Sequence, residues 1–155
     1  MERLKVFDIL HHDYLSLINL TLACDAQAIQ LFEQLEEKEI RIKFLAVQKK
    51  DKDGGRLSFC IERSSLKSVQ KILTRLDLEK KSSIYNDAGM IAVYGPHFGE
   101  KAGIIDMMHN VLTKDGISVF GISTTISTSY FVVPGPQVFQ AVETLKKIFE
   151  IPQGR

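Results

Sequence analysis

The chain has 155 residues, 45% of them hydrophobic and 25% charged, and a formal net charge of +1. That is the composition of a soluble globular protein, long enough for one ordinary domain or two small ones sharing a core. It carries no overall basic field that would draw it to nucleic acid or to an anionic membrane, so a small ligand or a protein is the better expected partner.

Taken in chain order, the spacing predicts a strand over residues 3–10, with Leu4, Val6 and Ile9 alternating weakly. The polar triplet His11, His12 and Asp13 ends it as an exposed turn, because adjacent side chains on a turn point apart and make a poor metal site. A second strand, rich in Leu and Ile, covers 14–22. At Asp25, a plausible N-cap, the period changes to helical, with Ala28, Leu31, Phe32 and Leu35 on one face. Residues 40–47 return to strand, and KKDKDGGR turns polar before a partner strand at 57–61. A second helix starts near Ser64 on the face Leu66, Val69, Ile72, Leu73 and Leu76. Residues 82–85 and 90–94 read as short strands around a turn at 86–89. GPHFGEKAG follows as a loop whose spacing is not that of a nucleotide phosphate loop, since Gly99 is followed by Glu100.

Ile104, Ile105, Met108, Val111 and Leu112 mark a third helix, and Gly116 closes it with the left-handed conformation that glycine accepts. The next segment, GISVFGISTTISTSYFVV, holds no charge, and apolar shoulders flank its Ser/Thr run. Gly135 and Pro136 then open a fourth helix with the face Val138, Ala141, Val142, Leu145, Ile148 and Phe149. Cys24 and Cys60 have apolar neighbours and no metal-type spacing, and read as reduced core thiols of a cytoplasmic protein. No apolar run reaches the ~20 residues of a membrane span, and MERLKVFDIL has no signal-peptide pattern.

The pattern repeats. Leu35 matches Leu112, Ile40 matches Ile117 and Ile42 matches Val119, at a constant offset of 77 residues. Beyond the first hairpin the offset becomes 73, with Leu66 matching Phe139 and Val69 matching Val142. The difference falls in KKDKDGGR, an exposed turn where insertions are tolerated. The Ser/Thr run is therefore a hairpin and its shoulders, since Thr favours strands and hydroxyls bond locally at turns. The second unit lacks a last strand, and the N-terminal strand lacks a partner. Each supplies what the other lacks, which makes two interlocked units with the first inserted in the second.

GISVFGISTT, YFVVPGPQVFQAVETLKKIFE, MIAVYGPHFGEKAGIIDMMHNVLTKDGI and GGRLSFCIERSSLKSVQKIL occur in an order and spacing that resembles the paired ACT domains at the C-terminal end of aspartate kinases. The resemblance covers nearly the whole chain. It implies an α+β fold of two interlocked ferredoxin-like βαββαβ (ACT) modules, with antiparallel sheets and helices on one face. The first would span 11–86, and the second 1–10 plus 87–155. No kinase catalytic motif is present, so ATP and magnesium would belong to a separate catalytic domain, and this region needs no cofactor and no metal. The implied function is non-catalytic: binding an amino-acid effector, lysine or threonine, and regulating the aspartate kinase catalytic domain, with pairing into a homodimer. A free-standing amino-acid sensor or oligomerisation module is the alternative.

By that resemblance the effector site uses the loop and helix start after the first strand of each module. In the first module these are Ala23, Cys24, Asp25, Ala26 and Gln27, with Gln48 at the end of the second strand. In the second they are His97, Phe98, Gly99 and Gly103, with the hydroxyls of Ser123, Thr124 and Thr125. Backbone N–H groups at a helix start suit an effector's α-carboxylate. The family's acidic contact for lysine corresponds here to Lys43, beside Arg41, and a cation there would repel lysine. The same bare fold serves RNA-binding modules, but the chain lacks their aromatic strand motif and their positive charge.

Overall fold

The computed structural model describes residues 3–50, 54–96 and 101–152. Its elements in chain order are β1 (Leu4–Lys5), β2 (Asp8–Leu22), α1 (Asp25–Glu37), β3 (Phe44–Lys49), β4 (Gly55–Glu62), α2 (Leu66–Arg75) and β5 (Ser82–Tyr94). They continue with α3 (Ile104–Lys114), β6 (Gly121–Thr124), β7 (Thr128–Pro134), α4 (Val138–Lys146) and β8 (Phe149–Glu150). The chain divides into two compact units, one of Tyr14–Asp87 and one of Met1–Asp13 with Ala88–Arg155. The boundaries fall inside β2 and β5.

In the unit Tyr14–Asp87 the strand order is β3-β4-β2-β5. The ladders are antiparallel, with Asn19 opposite Ser58 and Thr21 opposite Arg56 on β2 and β4. Ala46 and Gln48 of β3 lie opposite the same two β4 residues from the other side. The two-residue period of a strand sends Ile18, Leu20, Leu22, Leu57, Phe59 and Ile61 to one face. There they form a core with Leu31 and Leu35 of α1 and Val69, Ile72 and Leu73 of α2. Both helices thus cover one side of the sheet, and truncating a residue such as Phe59 would cost about 3–5 kcal/mol.

The unit formed by Met1–Asp13 and Ala88–Arg155 repeats the plan, with the order β2-β5-β7-β6. Ile91, Val93, Phe131 and Val133 of the sheet pack on Met108 and Leu112 of α3 and on Ala141 and Leu145 of α4. A short parallel pair, with Leu4 opposite Phe149, ties the N-terminal segment to the end of the chain. The architecture is α+β, with ferredoxin-like modules of antiparallel sheet and helices.

Both units end their first helix in one way. The Ile40 N–H donates to the Leu35 carbonyl at 2.9 Å, and the Ile117 N–H donates to the Leu112 carbonyl at 3.0 Å. The residue just before each donor is left-handed, Glu39 at φ 55° and Gly116 at φ 77°. Those are six-residue closures around a left-handed residue, the Schellman stop.

Several expectations from the sequence need correction. His11, His12 and Asp13 are not a turn but lie within β2, where alternation puts His11 and Asp13 on one side, 3.0 Å apart. Residues 86–89 are not a turn either, because β5 runs through them unbroken. Gly89 is there for closeness: a Cβ on it would collide with the Val138 side chain. Asp25 is the first helical residue rather than the N-cap, which is Cys24. Residues 40–43 are consumed in leaving α1, so β3 starts only at Phe44. Phe149 lies on β8 rather than on the fourth helix. Cys24 is exposed, so only Cys60 is a core thiol.

Candidate functional site

The cleft that gathers sequence-predicted residues lies in the unit Tyr14–Asp87, where β2 and β3 end and β4 begins. It encloses about 550 Å³ and is bordered by Leu22, Ala23, Gln48, Lys50, the Gly54–Gly55 pair and Arg56. The hairpin between β3 and β4 is closed by the Lys50 N–H on the Gly54 carbonyl at 2.9 Å. Both glycines are needed for close approach. A Cβ at Gly54 would sit 2.8 Å from the Leu22 carbonyl oxygen, and one at Gly55 would collide with the Gln48 carbonyl. One wall of the cleft is therefore bare backbone.

The first turn of α1 follows directly from Ala23. Cys24 caps it in an extended conformation without a side-chain hydrogen bond. Gln27 reaches back, its Oε1 accepting the Ala23 N–H at 2.7 Å, so that this side chain clamps the loop. Asp25 and Ala26 open the helix, where N–H groups have no intrahelical acceptor. The Asp25 carboxylate meets Lys49 of β3 at 2.9 Å, both side chains being exposed. Lys50 and Arg56 remain in the cleft, and among its described lining residues there is no carboxylate. Cations beside a helix N-terminus attract an anionic group.

The structure thus brings Ala23 and Gln48 into one cleft and puts Cys24, Asp25, Ala26 and Gln27 in the adjoining turn. Lys43 does not border it; its ammonium lies 3.7 Å from Glu62, and its N–H pairs with Cys60 at the far end of the ladder. The cations that border the cleft among its described lining residues are Lys50 and Arg56, inside a stretch that reads in sequence only as a polar turn. The paired glycines were the available signal.

In the other unit, His97, Phe98 and Gly99 lie outside the described residues. Gly103 takes a left-handed φ of 87° at the N-cap position of α3, with open space around it. Ser123 and Thr124 lie on β6. The hydroxyls there serve the hairpin: Thr124 Oγ1 contacts Ser129 Oγ at 3.0 Å, and Thr125 Oγ1 accepts the Thr128 N–H at 3.1 Å. His109 is exposed on α3. Among the described residues no cluster of three or more His, Cys, Asp or Glu is placed to hold a metal, and no helix is long and apolar enough to cross a membrane.

Comparison with solved structures identifies the fold. The regulatory subunit of aspartate kinase from Thermus thermophilus, in its ligand-free form, superposes with a TM-score of 0.81 at 14% identity, covering 94% of this chain and 99% of that one. The chain has the fold of an aspartate kinase regulatory region. The aspartate kinase of Synechocystis matches at a TM-score of 0.82 and 17% identity, over 95% of this chain and 28% of that one. Among curated proteins, an aspartokinase of Bacillus sp. (strain MGA3) is 26% identical over 124 residues, 78% of this chain. The chain spans 30% of the length of that relative. No family model matches.

Proposed function

We propose that this chain is the regulatory region of an aspartate kinase, and that an amino-acid effector seated in the cleft of the unit Tyr14–Asp87 shifts the catalytic domain between states. The observation that carries this reading is a helix-start cleft holding Lys50 and Arg56 with no carboxylate among its described lining residues. The effector's α-carboxylate meets the first-turn N–H groups of α1 and the Lys50 ammonium. Its ammonium is held by Gln48 Oε1, and its side chain lies along Leu22. Two cations disfavour a second ammonium on the ligand, so a neutral effector such as threonine is preferred over lysine. Binding acts on a catalytic domain only through a difference in affinity between its two states. The edge strands β3 and β6 offer unpaired ladders to a second copy, so the regulatory region assembles as a homodimer.

Calorimetry with a panel of amino acids tests the reading. A neutral amino acid is expected to bind with lysine weaker, and Lys50→Glu is expected to abolish the heat. Absence of any response at about 10 mM, the weak end of effector affinities, would reject it. Light scattering on the eluting peak checks the dimer.

A further inference from the structure

The face of the sheet turned away from α1 and α2 holds a second concavity of about 620 Å³ in the unit Tyr14–Asp87. Its floor is two cross-strand rows, Asn19–Ser58–Ala46 and Thr21–Arg56–Gln48. These alternate with the core residues of the same strands and so point to the opposite side. Its wall is residues 80–83, which supply Lys80 and Lys81.

Three cations, Arg56, Lys80 and Lys81, border this surface, and none of the described lining residues is acidic. The ion pairs among described residues engage other cations: Lys43, Lys49, Arg63 and Lys146. The neutral groups add donors. Ser58 donates to Asn19 Oδ1 at 2.6 Å, which orients the Asn19 amide and leaves its two N–H groups for a ligand. Like charges gathered on a concave floor, with no counter-charge among the described lining residues, raise each other's energy, and a bound anion relieves that repulsion. A zwitterionic amino acid, with no net charge, does not balance three cations.

We propose that this face is a binding site for a small polyanion, its charge carried as phosphate or as clustered carboxylates. Arg56 engages two oxygens with its planar fork, and Lys80 and Lys81 act as point charges from the wall. The volume is that of a small-molecule site. The site shares Thr21, Gln48 and Arg56 with the amino-acid cleft but has its own lysines, so a polyanion and an amino-acid effector report on each other through that shared arginine.

The test is titration calorimetry of the chain with pyrophosphate and, separately, with citrate. Saturable binding of either supports the site and identifies which anion chemistry it takes. The affinity is expected to fall as salt rises. The double variant Lys80→Ala/Lys81→Ala is expected to weaken binding by about tenfold or more, as loss of two charge-assisted contacts requires. Lys67→Ala/Lys71→Ala removes the same charge from exposed positions on α2 and is expected to leave binding unchanged. The proposal is overturned by no saturable heat with either anion at about 10 mM. It is equally overturned if the Lys80/Lys81 variant binds like the parent, or if the α2 control weakens binding as much. Amino-acid binding in the Lys80/Lys81 variant is read separately, so failure here leaves the effector cleft standing.

Discussion

The matched ends of α1 and α3 make a stability test that isolates backbone conformation. Glu39 and Gly116 occupy equivalent left-handed positions, at φ 55° and 77°. An L-residue held there costs about 1–2 kcal/mol, and glycine avoids that cost. Glycine in turn loses more entropy on folding, which offsets about 0.4–1 kcal/mol. Gly116→Ala is therefore expected to destabilise by about 0.5–1 kcal/mol, and Glu39→Gly to stabilise by the same amount. A Cβ at Gly116 would meet nothing within 4 Å, so the loss there is torsional and not steric. Glu39→Ala is the control, because it removes an unfavourable negative charge at a helix C-terminus without changing the conformational cost. Urea unfolding at constant m-value measures all three. A neutral or stabilising Gly116→Ala, or a Glu39→Gly no better than Glu39→Ala, would refute the reasoning.

Gly89→Ala forces a methyl into the Val138 side chain and is expected to cost about 1–3 kcal/mol, with Val138→Ala restoring part of it in the double variant measured by urea melts. Ellman's reagent is expected to titrate the exposed Cys24 in the native chain and the buried Cys60 only on unfolding, with an effector in the cleft slowing the Cys24 reaction. Burial pushes the Cys60 thiol from 9.0 up to about 12, so the unfolded chain releases a proton that the folded chain keeps. Its contribution to stability is whole below pH 9.0 and is lost as pH rises toward 12, amounting to about 2 kcal/mol near pH 10.5. Cys60→Ala is expected to flatten that alkaline decline in paired urea melts. The Asp115 carboxyl is held below its ordinary 3.8 by hydrogen bonds from Thr144 and Gln140. Its contribution is present above pH 3.8 and lost as pH falls through the lower folded value, so Thr144→Val is expected to raise the acid-unfolding midpoint followed by circular dichroism.

Helices were legible in the sequence because a 3.6-residue period shows one face regardless of partners: α1 runs from Asp25 and α3 from Ile104, where the apolar spacing begins. The long strands were not. His11, His12 and Asp13, and Asn86 and Asp87, carry turn composition, yet a strand needs no apolar residue where its sides face solvent. Turn-like composition therefore marks no break in β2 or β5, which continue straight through. The start of β3 was misplaced for a different reason, since Ile40 is spent closing α1 and its apolar side chain mimics the first strand residue.

The cleft was half legible. Ala23 and Gln48 are named by the sequence pattern and line one cleft, but Lys50 and Arg56 join them only through the registers that set Thr21, Arg56 and Gln48 side by side. Such pairing is non-local, and no window of sequence contains it. The two units share their helix stops but not their hairpins. One hairpin has the sequence KKDKDGGR, with charges of both signs and the Gly54–Gly55 pair, whereas its counterpart carries Thr124, Thr125, Ile126 and Ser127, without charge and with its threonine hydroxyls bonded within the turn. A stop is dictated by the helix it ends and is retained wherever that helix is. A hairpin answers only to its strands, so the two differ in composition, and the cations Lys50 and Arg56 border a cleft in the unit Tyr14–Asp87.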